Sequence, residues 1–152
     1  FIFCGEEMYR SKRGEKNTYN MPDEYNAIDW TLKSQYNDLV EYYKGLIAMR
    51  KEHPAFSLGS AEAVREHLSF IENDNEAAVG FILDNLEGID SAKRIIVLMN
   101  GSRDDVEFNI PVGTYKWISD GEFIHPKGMV PFNIRTGKVA VPPISGIILA
   151  EY

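Results

Sequence analysis

The chain has 152 residues, of which 44% are hydrophobic and 12% aromatic, and its formal net charge is -7. This length suits one ordinary domain, or a small domain with part of another, and the composition excludes a disordered chain. The negative charge argues against a nucleic-acid-binding protein, because such proteins neutralise phosphates with Lys and Arg. A single cysteine excludes an internal disulfide framework and cysteine-rich metal sites. No apolar run is long enough to cross a bilayer.

The first residues predict a buried strand that leads into a loop. Phe1-Ile2-Phe3-Cys4 is apolar, Gly5-Glu6-Glu7 follows, and no Met precedes Phe1. A strand at full burial needs neighbours, so we expect these residues to belong to the tail of a larger molecule. The polar segment that continues to residue 30 is longer than most connections, and loops of such length usually carry function.

Helical periodicity begins at Ser34, which we expect to cap the helix, and Pro54 predicts its end. The apolar positions recur at the spacing of a single helix face: they are Tyr36, Leu39, Val40, Tyr43, Leu46 and Ile47. A second, short helix is predicted over 61–67, with Ser60 as its N-cap.

The remaining sequence alternates with a period of two between turn signals, which is typical of strands. Seven strands are predicted, over 68–71, 77–83, 94–99, 106–110, 115–118, 138–141 and 146–150. Several short strands separated by turns predict an antiparallel β-sandwich. We place the boundary between the helical and the all-β parts so that they cover 1–57 and 58–152.

Four blocks of the sequence resemble type I pullulanases, which belong to the α-amylase-like family of glycoside hydrolases. They are Gly5-Glu6-Glu7, residues 17–30 (NTYNMPDEYNAIDW), residues 42–56 (YYKGLIAMRKEHPAF) and residues 141–149 (VPPISGIIL). The resemblance implies a mainly β fold: a C-terminal antiparallel β-sandwich, preceded by the eighth strand, loop and helix of a (β/α)8 barrel. It also implies a parent enzyme that cleaves α-1,6-glucosidic linkages in pullulan and in branched starch or glycogen by a retaining mechanism, without a cofactor.

The same resemblance implies that the catalytic residues lie outside this chain. Retaining glycosidases use two carboxyl groups about 5 to 5.5 Å apart, and in the family these follow barrel strands that precede the eighth. Glu6 and Glu7 are the only candidates for such a pair of carboxyl groups, but the side chains of adjacent residues on a strand point to opposite sides. We therefore predict no catalytic residue here, and an inactive isolated chain.

The long loop carries the best candidates for binding an α-glucan, since loops at the C-terminal ends of barrel strands face the substrate. Asp23 and Asn26, and less strongly Asn20, have side chains suited to reading sugar hydroxyls. Asn and Asp also bond their own backbone in loops, so both interpretations stay open. Tyr19 and Tyr25 could stack on a sugar ring or pack within the loop, and Trp30 is expected to anchor the loop by packing.

No metal site is predicted, because His53, His67 and His125 lack the spacing of metal ligands, and His53 is interpreted as a helix terminus. In the sandwich, Trp117 with Tyr115 and Phe123 could form a carbohydrate-binding platform, although core positions are expected for such aromatics. Besides the glucan, no nucleic acid or membrane partner is expected.

Three other interpretations of the function remain open: another α-amylase-like enzyme acting on different linkages, a carbohydrate-binding module, and a purely structural β-sandwich. The apolar face of the long helix, together with Phe1 and Phe3, would form a large exposed apolar surface. We therefore expect this surface to be covered, either because the helix folds back on the sandwich or because it pairs with a second copy of the chain through a two-fold interface.

Overall fold

The computed structural model describes all residues from 1 to 152 and divides the chain into two units, residues 1–44 and residues 45–152. The four α-helices are α1 (Asp23–Asn26), α2 (Leu32–Gln35), α3 (Asn37–Glu52) and α4 (Ala61–His67). Short 3-10 helices cover Glu6–Met8 and Pro54–Ser57. The strands are β1 (Leu68–Ile71), β2 (Ala78–Leu83), β3 (Arg94–Asn100), β4 (Val106–Asn109), β5 (Gly113–Ser119), β6 (Phe132–Ile134), β7 (Lys138–Val141) and β8 (Ser145–Glu151).

The strands form two antiparallel sheets within residues 45–152. The larger sheet has the order β1-β2-β3-β8-β5-β6, and β4 pairs with β7 in the smaller one. β3 is buried on both faces, since four consecutive residues, Ile95 to Leu98, are all buried. A run of this kind is expected for a central strand that is covered on both sides.

One face of the large sheet packs against the small sheet. Ile96 and Leu98 of β3 and Leu149 of β8 meet Phe108 of β4 and Val141 of β7 in this apolar cluster. Gly80 makes room for the Phe108 ring, because a Cβ atom at Gly80 would lie 3.0 Å from two ring carbons. The smaller sheet is thereby fixed on the larger one by close packing.

The opposite face of the large sheet is covered by helical and loop segments rather than by another sheet. Ile95 and Val97 of β3 pack in a second cluster with Met49 from the end of α3, Ala55 and Leu86. The prediction of a mainly β fold with antiparallel strands is confirmed, and the second cluster shows that the last turn of α3 belongs to the same unit as the strands. The predicted domain boundary between 57 and 58 stays a prediction.

The strand predicted at residues 1–4 is wrong. No strand pairs with these residues, and a turn holds them instead: the Phe3 carbonyl accepts from the Glu6 amide at 3.0 Å, and the Phe3 amide donates to Glu6 Oε2 at 2.9 Å. Extended backbone becomes a strand only when a neighbour takes up its hydrogen bonds.

The long helix begins at Asn37 and not after a cap at Ser34. Asp29 Oδ1 accepts hydrogen bonds from the Thr31 amide at 2.9 Å and the Thr31 hydroxyl at 2.6 Å, so a helical turn starts early and places Ser34 inside α2. Tyr36, at φ -114° and ψ 41°, interrupts the helix before α3. Its ring meets Tyr9 edge to face at 4.9 Å.

Most of the other predicted elements are confirmed. α4 has the predicted limits, and Ser60 Oγ accepts from the Ala63 amide at 3.1 Å. The seven predicted strands are present, with ends shifted by up to two residues, and β6 is an additional strand. No helix is long and apolar enough to cross a membrane.

Candidate substrate-binding loop

The loop before α3 is organised around Asn26. The Asn26 amide nitrogen donates to the carbonyls of Thr18 at 2.7 Å and Met21 at 2.8 Å, and its Oδ1 accepts from Lys12 Nζ at 2.7 Å. The Arg10 guanidinium donates to the Asn26 main-chain carbonyl. Both amide hydrogens and the side-chain oxygen of Asn26 are thus engaged within the loop, so Asn26 holds the loop in shape.

The Lys12 ammonium is set into this arrangement beside a second cation. Partial burial, and then the charge of Arg10, lower the pKa of Lys12 from its ordinary value. Arg10 also donates to the Cys4 carbonyl at 3.1 Å, and its guanidinium carbon lies 5.5 Å from the centre of the Phe3 ring. The two basic side chains therefore connect the start of the chain to α1.

Asp23 and Asn20 are placed differently from Asn26. Both are exposed, and neither side chain makes a hydrogen bond within the chain. Tyr19 beside them is 84% exposed. Two polar side chains and one aromatic ring, within five residues of sequence, are thus open to solvent.

Tyr25 and Trp30 lie elsewhere in the loop. The Arg13 guanidinium carbon lies 5.5 Å from the centre of the Tyr25 ring, which is half-buried, so Tyr25 packs within the loop. Trp30 is 64% exposed. The prediction that Trp30 anchors the loop is therefore wrong, and the loop is fixed by polar contacts.

Glu6 and Glu7 are occupied by hydrogen bonds close to them. Glu6 accepts from the Phe3 amide and from the Tyr43 hydroxyl, the latter at 2.9 Å, and Glu7 accepts from the Gly5 amide at 3.0 Å. The bond from Phe3, and then that from Tyr43, lower the pKa of Glu6. A glycosidic general acid needs a raised pKa, so the environment of Glu6 is unsuited to that role.

The sandwich aromatics do not gather into one platform. Tyr115 is fully buried and donates its hydroxyl hydrogen to the Pro111 carbonyl at 2.9 Å, whereas Phe123 is 61% exposed. Trp117 is half-buried and stacks on Phe132, with ring centres 4.9 Å apart and planes 8° from parallel. Its partner Phe132 comes from β6, the strand that the sequence did not predict.

The histidines are separated, and no group of three or more His, Cys, Asp and Glu side chains could hold a metal ion. The sequence reading of His53 as a helix terminus missed its partner. His53 is fully buried, and its Nδ1 lies 2.8 Å from Oδ1 of Asp90, a residue 37 positions away. No local pattern could have indicated this pair.

Comparison with known proteins shows that the chain is similar to pullulanases. Residues 64–122 match the family described as the pullulanase all-beta domain. The chain is 37% identical over 111 residues to the pullulanase of Bacillus subtilis (strain 168), a match that covers 73% of this chain and 15% of the relative.

Solved structures extend the similarity to almost the whole chain. The pullulanase from Bacillus acidopullulyticus superposes with a TM-score of 0.87 at 35% identity, over 97% of this chain and 18% of that one. Type I pullulanase from Bacillus subtilis str. 168, complexed with maltose, gives 0.85 at 34% identity, over 99% of this chain and 21% of that one. The chain thus spans about a fifth or less of the length of these relatives. By sequence and by fold, the chain is similar to pullulanases over almost its whole length, and its residues 64–122 match the all-beta domain of that family.

Proposed function

We propose that this chain is the C-terminal part of an α-glucan debranching hydrolase that cleaves α-1,6 linkages in pullulan and in branched starch or glycogen. The observation that carries the proposal is the similarity to pullulanases over 97% and 99% of the chain, at 35% and 34% identity. One of these relatives is complexed with maltose, an α-glucan fragment.

The chain contributes no catalytic carboxylate to this reaction. Glu6 has a lowered pKa, and both Glu6 and Glu7 accept hydrogen bonds from backbone amides nearby. The isolated 152-residue chain should release no reducing sugar from pullulan, whereas the full-length enzyme should. Activity of the isolated chain that disappears in Glu6→Gln or Glu7→Gln would contradict this assignment. If the full-length enzyme does not hydrolyse pullulan but does hydrolyse α-1,4-glucans, the result would favour another α-amylase-like activity.

Within the parent enzyme, the loop would supply hydroxyl-binding groups to the glucan. Asp23 and Asn20 support this role because their side chains are exposed and have no partners in the chain. Asn26, which is engaged by Lys12, Thr18 and Met21, would act by keeping the loop in the shape that presents them.

The test is steady-state kinetics of the full-length enzyme on pullulan. A lost hydrogen bond costs about 0.5 to 1.5 kcal/mol, so KM should rise roughly two- to tenfold in Asp23→Ala while kcat stays unchanged. Glu15→Ala is the matched control, because Glu15 is an exposed carboxylate of the same loop with no side-chain partner. An unchanged KM in both Asp23→Ala and Asn20→Ala would make the loop structural.

The sandwich offers a second, weaker candidate. The Trp117 and Phe132 rings are stacked and half-buried, so an accessory carbohydrate-binding role would have to use the exposed edge of this pair. Binding of maltooligosaccharide to the isolated chain, lost in Trp117→Ala and retained in Asp23→Ala, would favour a binding module.

The isolated chain is also proposed to self-associate. Phe1, Ile2 and Phe3 are 115%, 52% and 42% exposed, and Ile47 of α3 is 45% exposed. Apolar groups of this size contribute roughly 1.5 to 3 kcal/mol each when buried. Light scattering at tens of micromolar should show a dimer, and a clean monomer would exclude it.

A further inference from the structure

A buried polar bridge joins three segments of residues 45–152. His53 lies between α3 and the 3-10 helix Pro54–Ser57, and its side chain and that of Asp90 are both fully buried. His53 Nδ1 lies 2.8 Å from Asp90 Oδ1, in the β2–β3 connection, and Nε2 lies 2.9 Å from the carbonyl oxygen of Pro126, in the β5–β6 connection. The imidazole ring is thus the link between these connections and the end of α3.

The partners of His53 determine how many protons the ring holds. The Pro126 carbonyl can only accept a hydrogen bond. The Asp90 carboxylate already accepts at both oxygens, from the Ala92 amide on Oδ1 at 2.9 Å and from the Ala55 amide on Oδ2 at 3.2 Å. Since both partners of the ring are acceptors, both hydrogen bonds form only when Nε2 carries a hydrogen and a second proton lies between Nδ1 and Oδ1 of Asp90. A proton shared between Nδ1 and Oδ1 leaves the bond from Nε2 to Pro126 unchanged.

We propose that His53 and Asp90 form a proton-dependent clasp that holds the turn 125–128 against the end of α3, and that loss of the proton releases this turn. A neutral ring keeps only one N–H group. That hydrogen stays with the carboxylate, because hydrogen bonds to ionised groups are the stronger ones. Nε2 then presents a lone pair to the Pro126 carbonyl oxygen, so the bond to the turn is replaced by repulsion.

The charged and titratable groups around the ring come from four directions. Glu52 precedes His53 on α3, and the β2–β3 connection brings Asp90 together with Lys93, whose ammonium donates to the Tyr152 carbonyl at 3.0 Å. The Tyr152 ring lies 6.5 Å from the imidazole, and burial, then Asp90 and Glu52, raise the pKa of its phenol. The turn itself contributes His125 and Lys127. Of these groups, Asp90 is the one whose side chain is bonded to the imidazole.

The turn is also held by a hydrogen bond within it and by a bond from the next residue to β5. The Gly128 amide donates to the His125 carbonyl at 2.7 Å, and the Met129 amide donates to the Trp117 carbonyl at 3.0 Å. A cavity of about 500 Å³ lies between the turn and α3, lined by Ala48, Glu52, His125, Pro126, Lys127 and Gly128. Release of the clasp would therefore open this cavity while leaving the strands paired.

The protonation of His53 can be measured directly on the 152-residue chain. Long-range proton–nitrogen NMR of the labelled protein at pH 7 should show a hydrogen on Nε2 of the His53 ring. A ring whose Nε2 carries no hydrogen at pH 7 would overturn the proposal. This measurement uses the unmodified chain, so it decides the matter even if variants fail to fold.

The clasp also predicts that the turn opens more often when the side chain at position 53 can no longer donate to the Pro126 carbonyl. Hydrogen exchange at the Gly128 amide, measured relative to that of β3, should therefore be faster in His53→Leu than in the parent chain. His125→Gln is the matched control and should behave as the parent chain. Equal relative exchange at Gly128 in His53→Leu and in the parent chain would contradict the clasp.

Discussion

Residues 1–44 and residues 45–152 are stabilised by different kinds of contact. In the first unit, Met8 and Val40 are the only buried apolar side chains, and hydrogen bonds of Arg10, Lys12 and Asn26 fix the loop. In the second, two apolar clusters lie on the two faces of one sheet. The difference teaches that the candidate binding loop owes its shape to polar bonds, which are sensitive to single substitutions, while the scaffold owes its stability to burial.

The largest effect is expected from a cavity in the sandwich core. Phe108 is fully buried between the two sheets, and truncation of such a ring costs about 3 to 5 kcal/mol of unfolding free energy. Urea unfolding of Phe108→Ala measures this loss. Phe123→Ala is the control, since Phe123 is 61% exposed and surface changes stay within about 0.5 kcal/mol. Similar losses in both variants would remove the distinction between core and surface.

Gly45→Ala tests the close packing of α3, because packing predicts a loss of stability whereas helix propensity predicts a gain. Replacing a helical Gly with Ala normally stabilises a helix by about 1 kcal/mol. A Cβ atom at Gly45 would lie 2.7 Å from Cβ of Ile124, and overpacking costs about 1 to 3 kcal/mol. We expect a net loss in urea unfolding. Gly59→Ala is the control and should not be destabilised, because Gly59 has open space around it. A stabilised Gly45→Ala would show that the Ile124 side chain can move aside at little energetic cost.

Asn26→Ala should loosen the loop and leave the scaffold intact. The change removes three side-chain hydrogen bonds, each worth about 1 kcal/mol. Limited proteolysis and hydrogen exchange should become faster within residues 10–26, while the urea midpoint of the strands stays unchanged. Asn20→Ala, which removes no bond within the chain, serves as the control. Loss of the strand signal together with the loop would mean that the two units unfold as one.

The smallest effect is the acid sensitivity of the Glu6–Tyr43 bond. The folded pKa of Glu6 lies below its ordinary value of 4.5 because of the bonds from Phe3 and Tyr43. The bond therefore stabilises the fold above the ordinary value, and its contribution disappears as pH falls through the folded pKa. The NMR shift of the Tyr43 ring should follow this titration, and Glu6→Gln should abolish it. A Tyr43 shift that is independent of pH between 2 and 6 would argue against the bond.

The sequence predicted the elements whose periodicity is strong. Strands 68–71 and 138–141 and helix 61–67 have the predicted limits, because alternation and capping are local signals. β6 was missed because three residues after Pro131 are too few to show a period. The start of α3 was misplaced because Asp29 begins a helical turn before Ser34.

The candidate site was predictable only as a set of suitable residue types. The side chains of Asp23, Asn20 and Asn26 are all suited to binding sugar hydroxyls, and the sequence gives no means of separating Asn20 from Asn26 because their side chains are identical. The path of the loop makes them different, since the contacts of Asn26 come from residues 5, 8 and 14 positions earlier. The pairing of His53 with Asp90 depends on tertiary structure in the same way, and so does the exposure of Trp30.

The place of β8 in the large sheet has a consequence for biosynthesis. β8 lies between β3 and β5, so the other strands of the large sheet form two separate groups, β1-β2-β3 and β5-β6, until residues 145–151 leave the ribosome. During that interval, β3 and β5 each expose an unpaired edge, and such edges invite pairing with other chains. Nascent chains stalled before Ser145 should therefore depend on chaperones, and release of β8 should end that dependence.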